Sequence, residues 1–271
     1  MLILKKNRLS SLGSSILAVV LLLCFIKGPA LAAHPLITDD TGTQGKGKFL
    51  LELNGSLGFD KSNPPDDTGS ATTKTREAEA RATLTCGIID TVDVIFGGPY
   101  QWKKTETGED ASSVSGIADI SLEIKWRFFE KDGLSFAVKP GMSLPTGNKE
   151  KDLGTGSITG TFFLIATKET DPWAFDLNLG YKRNENKLDQ RDDIWHASLA
   201  CEFKAAKDLK LVANVGAESN TDKNSGTHPA FLLGGFIYTL RENLDIDFGV
   251  KKGLNETERD YAFLAGIALR F

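Results

Sequence analysis

The sequence predicts an all-β protein, a transmembrane antiparallel up-and-down β-barrel of about twelve strands. Three observations predict it: hydrophobicity that alternates with a period of two, connections that alternate between long and short, and a secretory leader at the amino terminus.

The leader fixes the compartment. Lys5, Lys6 and Arg8 form a basic region, an apolar run extends from Ile16 to Ile26, and Ala30-Leu31-Ala32 supplies a small-x-small cleavage site. The run is shorter than the roughly 20 residues a membrane-spanning helix needs. Leu21-Leu22-Leu23 precede Cys24 where a lipoprotein site needs small residues. Residues 1–32 therefore read as a cleaved signal peptide, and losing Lys5, Lys6, Arg8 and Lys27 takes the net charge from −4 to −8. That acidic balance argues against a nucleic-acid partner, which selects clustered Lys and Arg. With 41 % hydrophobic and 25 % charged residues the chain is too polar for a helical membrane protein. A barrel remains allowed, because its apolar residues alternate with polar ones.

The strands follow in order. Phe49, Leu51, Leu53, Leu57 and Phe59 point one way, with Glu52, Asn54, Ser56 and Asp60 opposite. Ala78, Ala80, Ala82, Leu84 and Cys86 oppose Glu77, Glu79, Arg81, Thr83 and Thr85. Val92, Val94, Phe96 and Tyr100 mark a third strand, and Ile120 to Phe128 alternates with Asp119 to Arg127 in the fourth. A fifth apolar face runs from Leu134 to Leu144. Further faces run over Trp173–Tyr181, Trp195–Phe203, Leu211–Ala217, Leu244–Val250 and Tyr261–Phe271. Two segments, Ile158 to Lys168 and Ala230 to Leu240, are apolar on both faces and cannot be oriented.

Connection length segregates by end. Long connections include the loop around Asn63–Asp67, Lys103–Ser113, Thr146–Gly156, Arg183–Asp193, Ser219–His228 and Lys252–Asp260. Short ones are Gly87–Thr91, Glu130–Gly133, Glu169–Pro172, Ala205–Asp208 and Arg241–Asn243. Short periplasmic turns and long extracellular loops are what an outer-membrane barrel has, whereas both ends of a soluble sandwich meet the same solvent. The expected location is the bacterial outer membrane, with outer-membrane lipid as a partner. Trp102, Trp126, Trp173 and Trp195 all fall on the apolar face near strand ends, as two membrane girdles require. Phe271 ends an apolar strand and is expected to serve as the signal read by the barrel assembly machinery.

Several stretches carry a family likeness: Pro35-Leu36-Ile37-Thr38-Asp39-Asp40-Thr41-Gly42, Lys139-Pro140-Gly141 with Leu144-Pro145-Thr146-Gly147, and Asn178-Leu179-Gly180-Tyr181. The chain resembles the proposed phenol-degradation-pathway (MetA-type) outer-membrane proteins over nearly all of its expected mature length. The resemblance implies a transporter-like barrel that takes up hydrophobic or aromatic compounds.

No enzyme, cofactor or metal site is expected. Walker-type glycine loops and His-rich clusters are missing from the sequence, and Gly154-Thr155-Gly156 reads as turn chemistry. His196 falls in a polar register from which no catalytic triad can be assembled. Cys86 and Cys201 face lipid on strands across the ring from one another, so they read as unpaired wall residues.

The lumen face is where function should lie. Its candidate lining is Glu52 on the first strand and Glu77, Glu79 and Arg81 on the second. Asp119, Glu123, Lys125 and Arg127 follow, then Lys139, then Asp176 and Lys182. Glu202 and Lys204, then Asp245, Asp247 and Lys251, complete it. Eight-strand barrels are filled and 16–18-strand barrels hold channels, so a ring of about twelve allows two readings. One is a channel or transporter passing a small-molecule solute through a narrow polar bore. The alternative is a sealed structural or ligand-displaying barrel that acts through its extracellular loops. Residues 33–46 are unpaired, polar and glycine-rich around the Pro35-Leu36-Ile37 knot, so they form either a periplasmic leader or a small plug; residues 47–271 form the barrel.

Overall fold

The computed structural model describes residues 34–63 and 71–271; the expected signal peptide lies outside the described residues. Among the described residues thirteen β-segments form one sheet. They are β1 (Phe49–Ser62), β2 (Thr73–Ile89), β3 (Val92–Thr107), β4 (Asp110–Ile117), β5 (Ile120–Lys131), β6 (Leu134–Leu144) and β7 (Thr159–Thr170). Then come β8 (Trp173–Arg183), β9 (Asp193–Ala206), β10 (Leu209–Glu218), β11 (Ala230–Arg241), β12 (Leu244–Gly253) and β13 (Tyr261–Arg270). Neighbours pair antiparallel in chain order, and β1 pairs with both β2 and β13, which closes the ring. β4 and β5 lie end to end along β3, broken at Ala118-Asp119, so the wall has twelve strands.

Closure gives the wall strands partners on both sides, which is what allows a sheet to stand in hydrocarbon; β4 pairs with β3 alone. The expected apolar faces point outward: Leu53, Phe96, Ile124, Leu177, Leu199, Leu211 and Ile267 are all exposed. This apolar exterior on a closed antiparallel barrel places the protein in the bacterial outer membrane. Cys86 and Cys201 are free, half-exposed wall residues. At the short-turn end, Asp132 (φ 50°) and Gly133 (φ 72°) join β5 to β6 through two successive left-handed residues, the backbone a twist-matched two-residue hairpin demands.

One expected loop is not a loop. Lys103–Ser113 continues as β3 and β4, paired from Tyr100–Ile117 out to Thr107–Asp110, with only Gly108 and Glu109 turning between them. This hairpin runs past the apolar band, so both faces are polar and the period-two signal fades, although Thr, Ser and Val suit a strand.

The seam is closed by the ends of the barrel sequence. Phe49 N–H donates to Phe271 O (2.7 Å), Phe271 N–H donates to Phe49 O (3.0 Å), and the two rings stack at 5.6 Å. Deleting Phe271 removes both bonds and the ring contact. The expected result is several-fold less heat-modifiable folded barrel on unboiled gels; an unchanged folded band would show that the seam closes without them.

The two segments without a readable face are resolved by the interior. Ile165 on β7 and Phe231, Leu233 and Ile237 on β11 are buried inward. The last three form an apolar cluster with Leu36, Ala200 and Val212. An apolar inner face is stable here because an internal segment of the same chain covers it.

Candidate functional site: the lumen and the segment within it

Residues 34–46 lie inside the ring, bonded in turn to side chains on β12, β10, β9, β8, β7, β6, β5 and β3. His34 Nδ1 contacts Asp247 Oδ1 at 2.5 Å. The backbone N–H groups of Ile37 and Thr38 both donate to Asn214 Oδ1 (2.8 and 3.1 Å). Asp39 N–H donates to Asn178 Oδ1 (2.9 Å), whose amide donates back to Asp39 O (2.7 Å). Thr41 N–H donates to Thr167 Oγ1 (3.0 Å), and Gln44 N–H to the Asp93 carboxylate (3.0 and 3.2 Å). A buried segment without a sheet partner must still satisfy its backbone, and wall amides, hydroxyls and carboxylates do so here.

Shape contributes as much as bonding. Gly235 and Gly249 face each other across β11 and β12, and Gly266 follows on β13. A Cβ on Gly249 would fall 2.9 Å from Pro35, one on Gly235 3.1 Å from Pro35, and one on Gly266 2.6 Å from His34 Nδ1. Three inward glycines thus make the recess that admits His34 and Pro35.

The centre is ionic. Lys125 Nζ and Lys139 Nζ each donate to one oxygen of Asp39 at 2.7 Å, and Lys125 also donates to Asp40 O at 3.1 Å. All three charged side chains are largely buried. Burial alone would raise the Asp39 carboxyl, but the two ammonium groups more than offset it and hold it well below the usual carboxylate range.

The expected lining residues separate into groups. Glu52, Glu123, Lys125 and Lys139 border a cavity of about 220 Å³ together with His34, Leu36 and Asp39. On the short-turn side of Asp40–Gly42, Arg127, Asp176, Glu202 and Lys204 border a larger cavity of about 520 Å³. Towards the long loops, Glu77 and Glu79 border a third of about 400 Å³ with Lys103 and Arg259. Most of these charges are paired: Arg81 with Glu79 (3.0 Å), Arg127 with Glu130 (3.3 Å), Glu202 with Lys210 (2.8 Å), Asp245 with Arg270 (2.7 Å) and Lys251 with Glu258 (2.8 Å). Lys204 sits exposed at the mouth beside Asp171 (3.1 Å), and Lys182 is half-buried inside the wall. Asp119 instead anchors a long loop, accepting from Gly147 N and Thr155 N at 2.9 Å.

Asn178, Ser198, Asn214 and the three glycines were missed as site residues. Their signal was present, since small polar groups and glycine occupy inward register positions among charges. His196 also differs from expectation: Thr38 Oγ1 donates to Ser198 Oγ (2.8 Å), Ser198 Oγ lies 2.9 Å from His196 Nε2, and His196 Nδ1 lies 3.6 Å from Glu218. These three groups do come into a row, but Ser198 is buried beneath Thr38.

The four tryptophans are all exposed on the outer wall. Trp102 and Trp195 stand toward the long-loop end, packed on Tyr100 and Tyr181 (4.5 and 4.8 Å). Trp126 and Trp173 stand toward the short turns beside Phe128 and Phe203 (5.9 and 4.5 Å).

The profile of the family described as "Putative MetA-pathway of phenol degradation" matches residues 38–271. The chain belongs to that family. Its fold is similar to an outer membrane channel from Pseudomonas putida F1, with TM-score 0.66 and 13 % identity over 86 % of this chain and 98 % of that one. It is also similar to the translocator domain of the autotransporter NalP from Neisseria meningitidis (TM-score 0.52, 10 % identity, 97 % and 95 % covered). The KdgM porin gives TM-score 0.53 and 7 % identity over 82 % of this chain and 99 % of that one. No curated protein matches in sequence. The match begins at Thr38, so most of the inserted segment belongs to the family pattern.

Proposed function

We propose that the protein is an outer-membrane channel for small solutes whose bore is narrowed by residues 34–46 acting as a plug. The observation that carries this reading is how the segment is held. It contributes no strand to the wall and is fixed by side-chain hydrogen bonds and one ion-pair cluster, with a cavity on either side. Such contacts can break without opening the sheet. When the segment moves aside, Phe231, Leu233 and Ile237, now covered by Leu36, would give the bore a surface for weakly polar, aromatic solutes, the class that the family description suggests. Trp102, Trp126, Trp173 and Trp195 serve as the membrane girdles, and the last strand through Phe271 engages the assembly machinery.

A sealed barrel is the second reading, favoured by the density of paired charges inside the wall. Planar-bilayer recording separates the two. Deleting residues 35–43 is expected to raise single-channel conductance several-fold while leaving the folded band on unboiled gels unchanged. If the deletion variant folds and conducts no better than the full chain, the segment is not what narrows the bore.

A further inference from the structure

The outer wall near the long loops carries a charge pattern that the channel does not use. Outward residues paired across strands form successive rows perpendicular to β12, β13, β1, β2 and β3. One row reads Val250, Phe263, Leu57, Ala78, Trp102 and is apolar throughout. The next row, two residues further along each strand, reads Lys252, Tyr261, Phe59, Arg76, Lys104. Beyond it, Lys61 on β1 stands directly opposite Lys74 on β2. The wall therefore changes from hydrocarbon-facing to cationic within one step.

Two like-charged pairs, Lys61 with Lys74 and Arg76 with Lys104, oppose each other across strands, an arrangement that is destabilising unless an anion intervenes. Within the cluster the one acidic partner among the described residues is Glu106, 2.5 Å from Lys104 and directly opposite Lys74, so a single carboxylate is shared among Lys104, Arg76 and Lys74. Among the described residues, Lys61, Lys74 and Arg76 form no ion pair. Elsewhere on the wall Arg183 is neutralised by Glu185 (2.7 Å) and Asp193 (3.1 Å). Beneath the cations lies a groove of about 320 Å³ lined by Leu57, Arg76, Ala78, Trp102, Lys104 and Ser115. The small Ala78 between Leu57 and Trp102 leaves the depression. Its floor is apolar and its rim is mainly cationic and hydroxylic, with Glu77 and Lys103 also on the lining.

We propose that this face binds a phosphorylated lipid of the outer leaflet, its phosphates between Arg76, Lys104 and Lys74 and the start of an acyl chain on Leu57, Ala78 and Trp102. Charge complementarity and the step from apolar to basic at the height of an aromatic side chain both require an amphiphile rather than a free ion. The inference is independent of whether the bore conducts.

The test is native mass spectrometry of the folded full-length barrel released from mixed micelles of lipid A and phosphatidylcholine. The wild-type protein should retain lipid A in preference to phosphatidylcholine. The triple variant Lys74→Gln/Arg76→Gln/Lys104→Gln should bind it on the order of fivefold more weakly, and Arg183→Gln should be unchanged. Wild-type retention should also fall between about 0.05 M and about 0.5 M salt as screening shortens. Equal retention by the triple variant, or salt-independent retention should that variant fail to fold, overturns the proposal. Full displacement by millimolar inorganic phosphate overturns it too, because the face would then be a site for the free ion.

Discussion

Asp39→Ala is expected to loosen the inserted segment and raise conductance part of the way toward that of the 35–43 deletion, with a shift toward anion selectivity. The substitution leaves Lys125 and Lys139 buried without their shared carboxylate. Breaking a buried ion pair from one side costs about 3–5 kcal/mol, because the remaining charge is desolvated and unpaired. The other bonds of the segment, made by His34, Ile37, Thr38, Asp39, Thr41 and Gln44, contribute about 1 kcal/mol each, so the loss loosens the segment around Asp39 while its flanks stay attached. Replacing both lysines with Met in the Asp39→Ala background should restore low conductance, since no charge is then stranded. The pH dependence has a definite sign. Asp39 has a lowered carboxyl pKa in the folded protein, so its contribution is complete above the ordinary carboxylate range. It is lost only as pH falls through the depressed value, so conductance should stay flat from neutral pH through mild acid and rise in strong acid. A rise centred near the ordinary carboxylate pKa would show that Asp39 is not held by the two lysines. Asp39→Ala channels that conduct like wild type would remove the cluster from the gating role.

Leu177→Arg is expected to reduce the folded yield sharply. Leu177 lies mid-strand on β8, exposed on the outer wall and paired with Ala166 and Leu199. An arginine there stands in hydrocarbon, at about 2–4 kcal/mol near the bilayer midplane. The adjacent Asn178→Ala faces inward and leaves the lipid surface untouched. It removes both bonds to Asp39, so it should fold normally and loosen the segment. Folded fraction in a urea titration with lipid vesicles, together with conductance, distinguishes the two phenotypes. If Leu177→Arg folds as well as wild type while Asn178→Ala does not, the two faces of β8 are exchanged.

The period-two pattern made the wall legible because in a strand each side chain faces one of only two environments. Leu53, Ile124, Leu177 and Leu199 could be assigned to lipid, and Glu202, Asp245 and Asp247 to the lumen, from register alone. The pattern failed where the physics changed. Lys103–Ser113 leaves the apolar band, so nothing forces its faces to differ in polarity. Phe231, Leu233 and Ile237 face inward yet are apolar, because Leu36 and its neighbours replace water on part of the inner wall.

The sequence by itself determined the closed antiparallel barrel, its strand number and, except at Lys103–Ser113, which connections are long, since these follow from local alternation and turn chemistry. Only the tertiary structure decided what the lumen contains. Asp39 meets Lys125 and Lys139, Thr38 meets Asn214, and Pro35 meets Gly235 and Gly249 across separations of 86 to 176 residues where hydrogen bonds are made. Those contacts leave no periodic trace, because an irregular segment is satisfied one group at a time by whichever wall residue ring closure brings beside it.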